Sequence, residues 1–190
     1  MMRNNNLNLR SLALCSLFTA LIVVGAFVKI PLPGIPFTLQ TLFVLLAGLL
    51  LGSKRGAIAV LVYIFIGLIG LPVFSGGGGL LYVLKPSFGY IIGFALGAFV
   101  TGWIAERKSE PSSLRLISAA IMGTAVIYAL GLTWYYWIAN YYLNTPMGVG
   151  ALMVSGFLMT LPADIIKIGL SVVLAKRLAP FIHIDMCKEV

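Results

Sequence analysis

Charge is what this 190-residue chain has least of, and negative charge above all: it holds five Asp and Glu, one His and two Cys. Catalytic triads and metal centres need several such groups brought together, and His183 has no second His nearby. The case for an enzyme or a metalloprotein is therefore poor, and no cofactor is called for. Cys15 sits in an apolar run and Cys187 near the other end, so neither a disulfide nor a metal-ligand spacing is suggested. A G-x-x-x-x-G-K-[ST] phosphate loop is also missing; the run Gly76 to Gly79 has no Lys followed by Ser or Thr. ATP hydrolysis by this chain is not expected.

Apolar residues are what the chain has in excess. It is 61% hydrophobic and 9% charged, against about 25% charged in soluble domains, and its mean hydropathy is +1.06. This is the composition of an integral membrane protein. Charge-free runs extend over 11–28, 56–84, 87–105 and 116–163. A membrane helix takes about 20 apolar residues, and turn signals at Pro31, Pro33, Gly34 and Pro36, at Gly76 to Gly79, and at Asn140, Asn144 and Pro146 divide the runs. The expected architecture is one all-α domain over 1–190, a bundle of six transmembrane helices near 11–28, 37–52, 56–73, 87–105, 116–137 and 147–176. The first run is long enough to span and lacks a small-residue cleavage site, so it reads as a helix rather than a removed leader.

The net charge of +8 follows the membrane instead of marking a nucleic-acid surface. With an inner amino terminus and six alternating helices, Arg3, Arg10, Lys54, Arg55, Arg107, Lys108, Arg115, Lys176, Arg177 and Lys188 fall on one side. That is ten of the 13 basic residues, as the positive-inside rule requires of a chain with both termini cytoplasmic. The outer loops are then a Pro-rich one from Lys29 to Pro36, a Gly-rich one from Pro72 to Pro86, and an Asn/Tyr-rich one from Asn140 to Pro146. Such loops can fold over a cavity walled by Phe74, Tyr82, Tyr141 and Tyr142, although any single Tyr or Trp also suits an interfacial belt. The cluster Trp134, Tyr135, Tyr136 and Trp137 fits a belt better than a pocket.

Two ionisable residues interrupt the last apolar region. A charge at that depth costs roughly 2.5–3.5 kcal/mol on insertion scales, so Asp164 and Lys167 call for a partner or a task. Thr160, Asp164, Lys167 and Ser171 are spaced i, i+4, i+7, i+11 and form one polar helix stripe. Pro162 removes a backbone donor just before Asp164 and frees a carbonyl, which membranes tolerate where a neighbour or a cavity satisfies it. A structural ion pair competes with a binding site, but a pair that only neutralises itself gains little over apolar residues. A carboxylate that only accepts, beside an ammonium that only donates, suits a ligand carrying both donors and acceptors. A proton relay would need further acids. Gln40, which donates and accepts, enters the second helix as either a surface amide or a ligand contact. Small residues four apart at Gly89, Gly93 and Gly97, and more weakly at Ser16 and Ala20 with Ala13 nearby, mark close helix contacts, for which internal packing is the first reading.

Several segments together resemble the BioY family, the biotin-specific substrate-binding subunits of energy-coupling factor (ECF) vitamin transporters. They are Ser16-Leu17-Phe18-Thr19-Ala20-Leu21, Ile35-Pro36-Phe37-Thr38-Leu39-Gln40-Thr41, Gly70-Leu71-Pro72-Val73-Phe74, Lys85-Pro86-Ser87-Phe88-Gly89-Tyr90, and Leu161-Pro162-Ala163-Asp164-Ile165-Ile166-Lys167. Two departures stand out: Ser87-Phe88 where the family has Thr-Gly, and Ser16 where it has Ala. The resemblance implies a six-helix subunit that takes biotin from outside, under the loops joining helices one to two and three to four. Asp164 would accept from the ureido nitrogens and Lys167 would donate to an oxygen, with Gln40, Tyr90, Ser87, Phe37 and Thr160 completing the site. Ala13, Ser16 and Ala20 would face a transmembrane coupling subunit that carries two cytoplasmic ATPases, whose ATP hydrolysis topples the loaded subunit in the lipid of a prokaryotic plasma membrane. Two other readings are a self-sufficient secondary transporter of a small polar solute, which should show paired repeats, and a membrane scaffold with a structural Asp-Lys pair.

Overall fold

The computed structural model describes residues 4–30, 35–107 and 111–182, with side chains from residue 9 onward. Pro31, Pro33 and Gly34 of the Pro-rich loop lie outside the described residues, as do Arg3, Lys108, Glu110, His183, Asp185, Cys187, Lys188 and Glu189. Helix α1 is Asn4–Phe27, and a two-residue hairpin follows in which β1 (Lys29–Ile30) pairs antiparallel with β2 (Phe37–Thr38). Helices α2 (Gln40–Leu68), α3 (Phe88–Glu106), α4 (Ser113–Trp137), α5 (Val149–Met153) and α6 (Leu161–Ile182) complete the helical order. Among the described residues, five segments are long and apolar enough to cross a membrane: 9–27, 40–68, 88–106, 113–142 and 149–182.

Helix α2 folds back on itself. Gly52 has φ +84° and ψ −177°, a conformation open almost only to glycine. Gln40 hydrogen-bonds Tyr63, 23 residues away; a straight helix would hold them about 34 Å apart. The turn is closed by Glu106 at the end of α3, whose carboxylate oxygens accept from the Ser53 amide and hydroxyl, each at 2.8 Å. The helical arms meet at Gly52 without the gap expected between the helices at 37–52 and 56–73, because this cap satisfies the start of the returning arm directly.

Helix α3 packs α4 through its glycine ridge. A Cβ on Gly93 would come 2.9 Å from the Ile127 carbonyl oxygen, and one on Gly89 or Gly97 would collide with Trp134 or Ile127. Internal packing is thus what this ridge does. The spacing Ala13, Ser16 and Ala20 behaves differently: all three are exposed on the outer face of α1, and the internal contacts of that helix come instead from Phe18, Thr19 and Ile22.

The segment expected as one helix over 147–176 is interrupted. The chain is α-helical to Met153, π-helical over Val154–Leu158, and resumes as α6 at Leu161. Pro162 therefore stands in the first turn of a new helix, where its missing N–H costs little. The belt reading also needs revision at one residue: Tyr135 is buried, while Tyr136 and Trp137 are exposed. Tyr141 and Tyr142, expected as cavity walls, are exposed on the π-helical turn Ile138–Tyr142 that extends α4. Phe74 and Tyr82 are buried, and the Phe74 ring lies 5.3 Å from that of Tyr63 and 4.6 Å from that of Tyr82. This aromatic plug orders the Gly-rich loop over the bundle, helped by the positive φ of Gly77 and Gly79.

Candidate functional site

A cavity opens where the β-hairpin, the starts of α2 and α3, the middle of α4 and the break before α6 converge. Phe37, Gln40, Ser87, Tyr90, Thr160, Asp164 and Lys167 all line it. Phe37 arrives by the strand pair, Gln40, Ser87 and Tyr90 at helix starts, Thr160 at the end of the break, and Asp164 and Lys167 by helical spacing in α6.

Asp164 and Lys167 are 4% and 5% exposed and form an i,i+3 ion pair. Both reach beyond each other. Tyr128 of α4 donates to Asp164 Oδ2 and lies 2.6 Å from the Thr160 hydroxyl. Asp164 Oδ1 is buried with the Lys167 ammonium as its ion-pair partner, which leaves lone-pair capacity on that oxygen for a further donor. Lys167 Nζ donates to the Thr38 carbonyl oxygen at 3.1 Å and lies 4.3 Å from the Phe37 ring centroid, within cation-π range. Thus Asp164 is tied to α4, and Lys167 to the hairpin that covers the cavity.

The opposite wall is built from neutral polar groups. Gln40 Nε2 donates to Tyr63 Oη, and Gln40 Oε1 accepts from Thr38 Oγ1. An amide nitrogen carries two protons, so one donor of Gln40 is left after the tyrosine bond. Tyr90 Oη donates at 2.9 Å to the carbonyl of Gly156, within the π-helical turn, which satisfies a backbone group loosened by the break. Ser75 and Ser87 each place a hydroxyl 3.2 Å from Tyr82 Oη. Ile91, Phe94 and Ile127 supply apolar surface between these polar groups.

Sequence reasoning missed Tyr128, Tyr63, Ser75 and Gly156. A signal for Tyr128 existed: Thr124, Tyr128, Gly131 and Tyr135 fall on one helical face, where a hydroxyl facing inward must find a partner. Gly156 left no such trace, because the π-helical turn is a tertiary outcome.

This arrangement offers a buried acceptor with spare capacity, a buried cation, an amide donor and an apolar slot. It is equipped to hold a small molecule that is polar at one end, with donors and acceptors close together, and apolar behind. Among the described residues no cluster of three or more His, Cys, Asp or Glu is placed to hold a metal.

The sequence matches the model of the BioY family over residues 2–183. It is 48% identical to a probable biotin transporter BioY of Lysinibacillus sphaericus, over 88% of this chain and 86% of the relative. Identity with the biotin transporter BioY of Thermotoga maritima is 40%, over 90% of this chain and 96% of the relative. Among solved structures, the S-component for biotin from an ECF-type ABC transporter is similar with a TM-score of 0.81 and 30% identity, covering 95% of both chains.

Proposed function

The chain belongs to the BioY family, and from that membership we propose that it binds biotin and carries it across the membrane as the specificity subunit of an ATP-driven ECF transporter. It is a multi-pass protein of the plasma membrane. The observation that carries the reading is the Asp164-Lys167 pair, buried in the lining of a cavity with Asp164 Oδ1 met by the Lys167 ammonium and by no other donor among the described residues. Biotin presents two ureido N–H donors beside one carbonyl acceptor on an apolar sulfur-containing bicycle. Asp164 accepts from the ureido nitrogens, and Lys167 and the spare Gln40 proton supply donors. Tyr90 and Thr160 shape the polar end, Phe37 closes over the ring system, and Ser87 stands at the mouth.

Six crossings with both termini cytoplasmic complete the reading, supported by the fold-back at Gly52 and by the inward bias of Lys and Arg. The chain performs no chemistry and needs no cofactor. Energy comes from partners: a transmembrane coupling subunit docked on Ala13, Ser16 and Ala20, and two cytoplasmic ATPases. The exposure of those small residues on α1 supports this, because they let another helix approach closely. A binding isotherm of biotin with the purified protein in detergent tests the reading. Saturable binding by the folded protein is expected, and its absence would return the buried pair to a structural role.

A further inference from the structure

The biotin reading leaves one ligand group without a place. Biotin ends in a carboxylate, while the depth of the cavity is already neutral: the Lys167 charge is balanced by Asp164. A second anion there would be buried without a counter-charge. The uncompensated positive charge lies at the other end. The outer loops contain Lys29 and Lys85 and no Asp or Glu, and both lysines are brought to one short stretch of the Gly-rich loop. Lys29 Nζ donates to the Ser75 carbonyl oxygen at 2.5 Å, and Lys85 Nζ donates to the next carbonyl, that of Gly76, at 2.7 Å.

Consecutive Cα atoms are only about 3.8 Å apart, so the two ammonium groups flank the same short piece of backbone. Each has three donors, and neither meets a carboxylate among the described residues. Ser75 and Ser87 line the cavity beside them, with hydroxyls converging on Tyr82 Oη. Ser87 is also the cap residue of the 19-residue helix α3, and its side chain caps nothing; the positive end of that helix dipole therefore faces the same mouth.

Resting on the biotin reading, we infer that Lys29 and Lys85, with the Ser75 and Ser87 hydroxyls, form the subsite for the ligand's carboxylate. The ureido head lies inward on Asp164 and Lys167, and the acid tail points to the mouth. The subsite makes the protein selective for the free acid over neutral tail derivatives.

Equilibrium binding of biotin and of biotinamide, its uncharged carboxamide, to the purified full chain separates the head from the tail. Wild type is expected to prefer the acid by roughly tenfold or more, the size of one or two charge-assisted hydrogen bonds. A Lys29→Gln/Lys85→Gln double variant is expected to lose that preference through weaker biotin binding, with biotinamide binding retained. The Lys29→Arg/Lys85→Arg variant is expected to keep it. The inference is overturned if wild type shows no acid preference, if the Gln variant keeps the preference, or if it loses both ligands equally, which would make the lysines mere loop fasteners. If folded wild type binds neither compound, the biotin reading falls as well.

Discussion

Asp164 is held on two sides by groups with different tasks. Tyr128 fixes one carboxylate oxygen by hydrogen bonding, and Lys167 neutralises the charge beside the other. Removing either partner leaves a buried polar group unsatisfied, which costs more than the bond itself is worth. Lys167→Ala is therefore expected to weaken biotin binding by about 1–3 kcal/mol, roughly 5- to 150-fold in affinity, in an equilibrium isotherm. Tyr128→Phe removes only a hydroxyl and keeps the ring packed against Phe157, with centroids 4.8 Å apart. Its expected cost is about 1–2 kcal/mol of binding, with a lowered melting temperature because the buried Asp164 Oδ2 loses its donor. Unaltered affinity in both variants would mean that the ligand does not use this end of the cavity. The ionic half of the site was legible in the sequence because charge in an apolar run is rare enough to stand out. The tyrosine half was not, since a Tyr within a membrane run also reads as an interfacial anchor until its facing partner is known.

At the scale of elements, two irregular points position the site. The first is the turn at Gly52, which lets the two arms of α2 stand side by side so that Tyr63 can fix Gln40. Any side chain at Gly52 meets the Glu106 carboxylate and adopts a backbone conformation that costs about 1–3 kcal/mol on its own. Gly52→Ala is expected to lower thermal stability in detergent by at least that much; a melting curve like that of wild type would show that the turn relaxes freely. The second point is the break over 154–160, which exposes the Gly156 carbonyl to Tyr90 and starts α6 just before Asp164. Pro162 announced a disturbance in the sequence, but the π-helical turn before it comes from packing against α4 and carries no local signature. Helix existence was readable from hydrophobic runs because lipid demands them. Helix continuity was not, since the turn at Gly52 and the break before α6 depend on the neighbours, Glu106 and Tyr90, that satisfy the released backbone groups.

For the whole molecule, the distribution of small residues separates inner contacts from an outer surface. Gly89, Gly93 and Gly97 are covered by α4, whereas Ser16 and Ala20 face outward. Ser16→Trp and Ala20→Trp are expected to leave biotin binding intact and to abolish uptake in proteoliposomes that contain the coupling and ATPase subunits. Loss of binding would instead place these residues in the fold's own packing. Uptake is likewise expected to require ATP and the partner subunits, since this chain has no phosphate-loop motif; accumulation by the chain alone would favour a secondary transporter. The most direct measurement is equilibrium binding of labelled biotin to the purified protein, wild type against Asp164→Asn, with a monodisperse elution profile required of both. Saturable binding by wild type, weakened at least tenfold in the variant, is expected. Equal binding by the two proteins, or none by folded wild type, would show that Asp164 does not hold biotin.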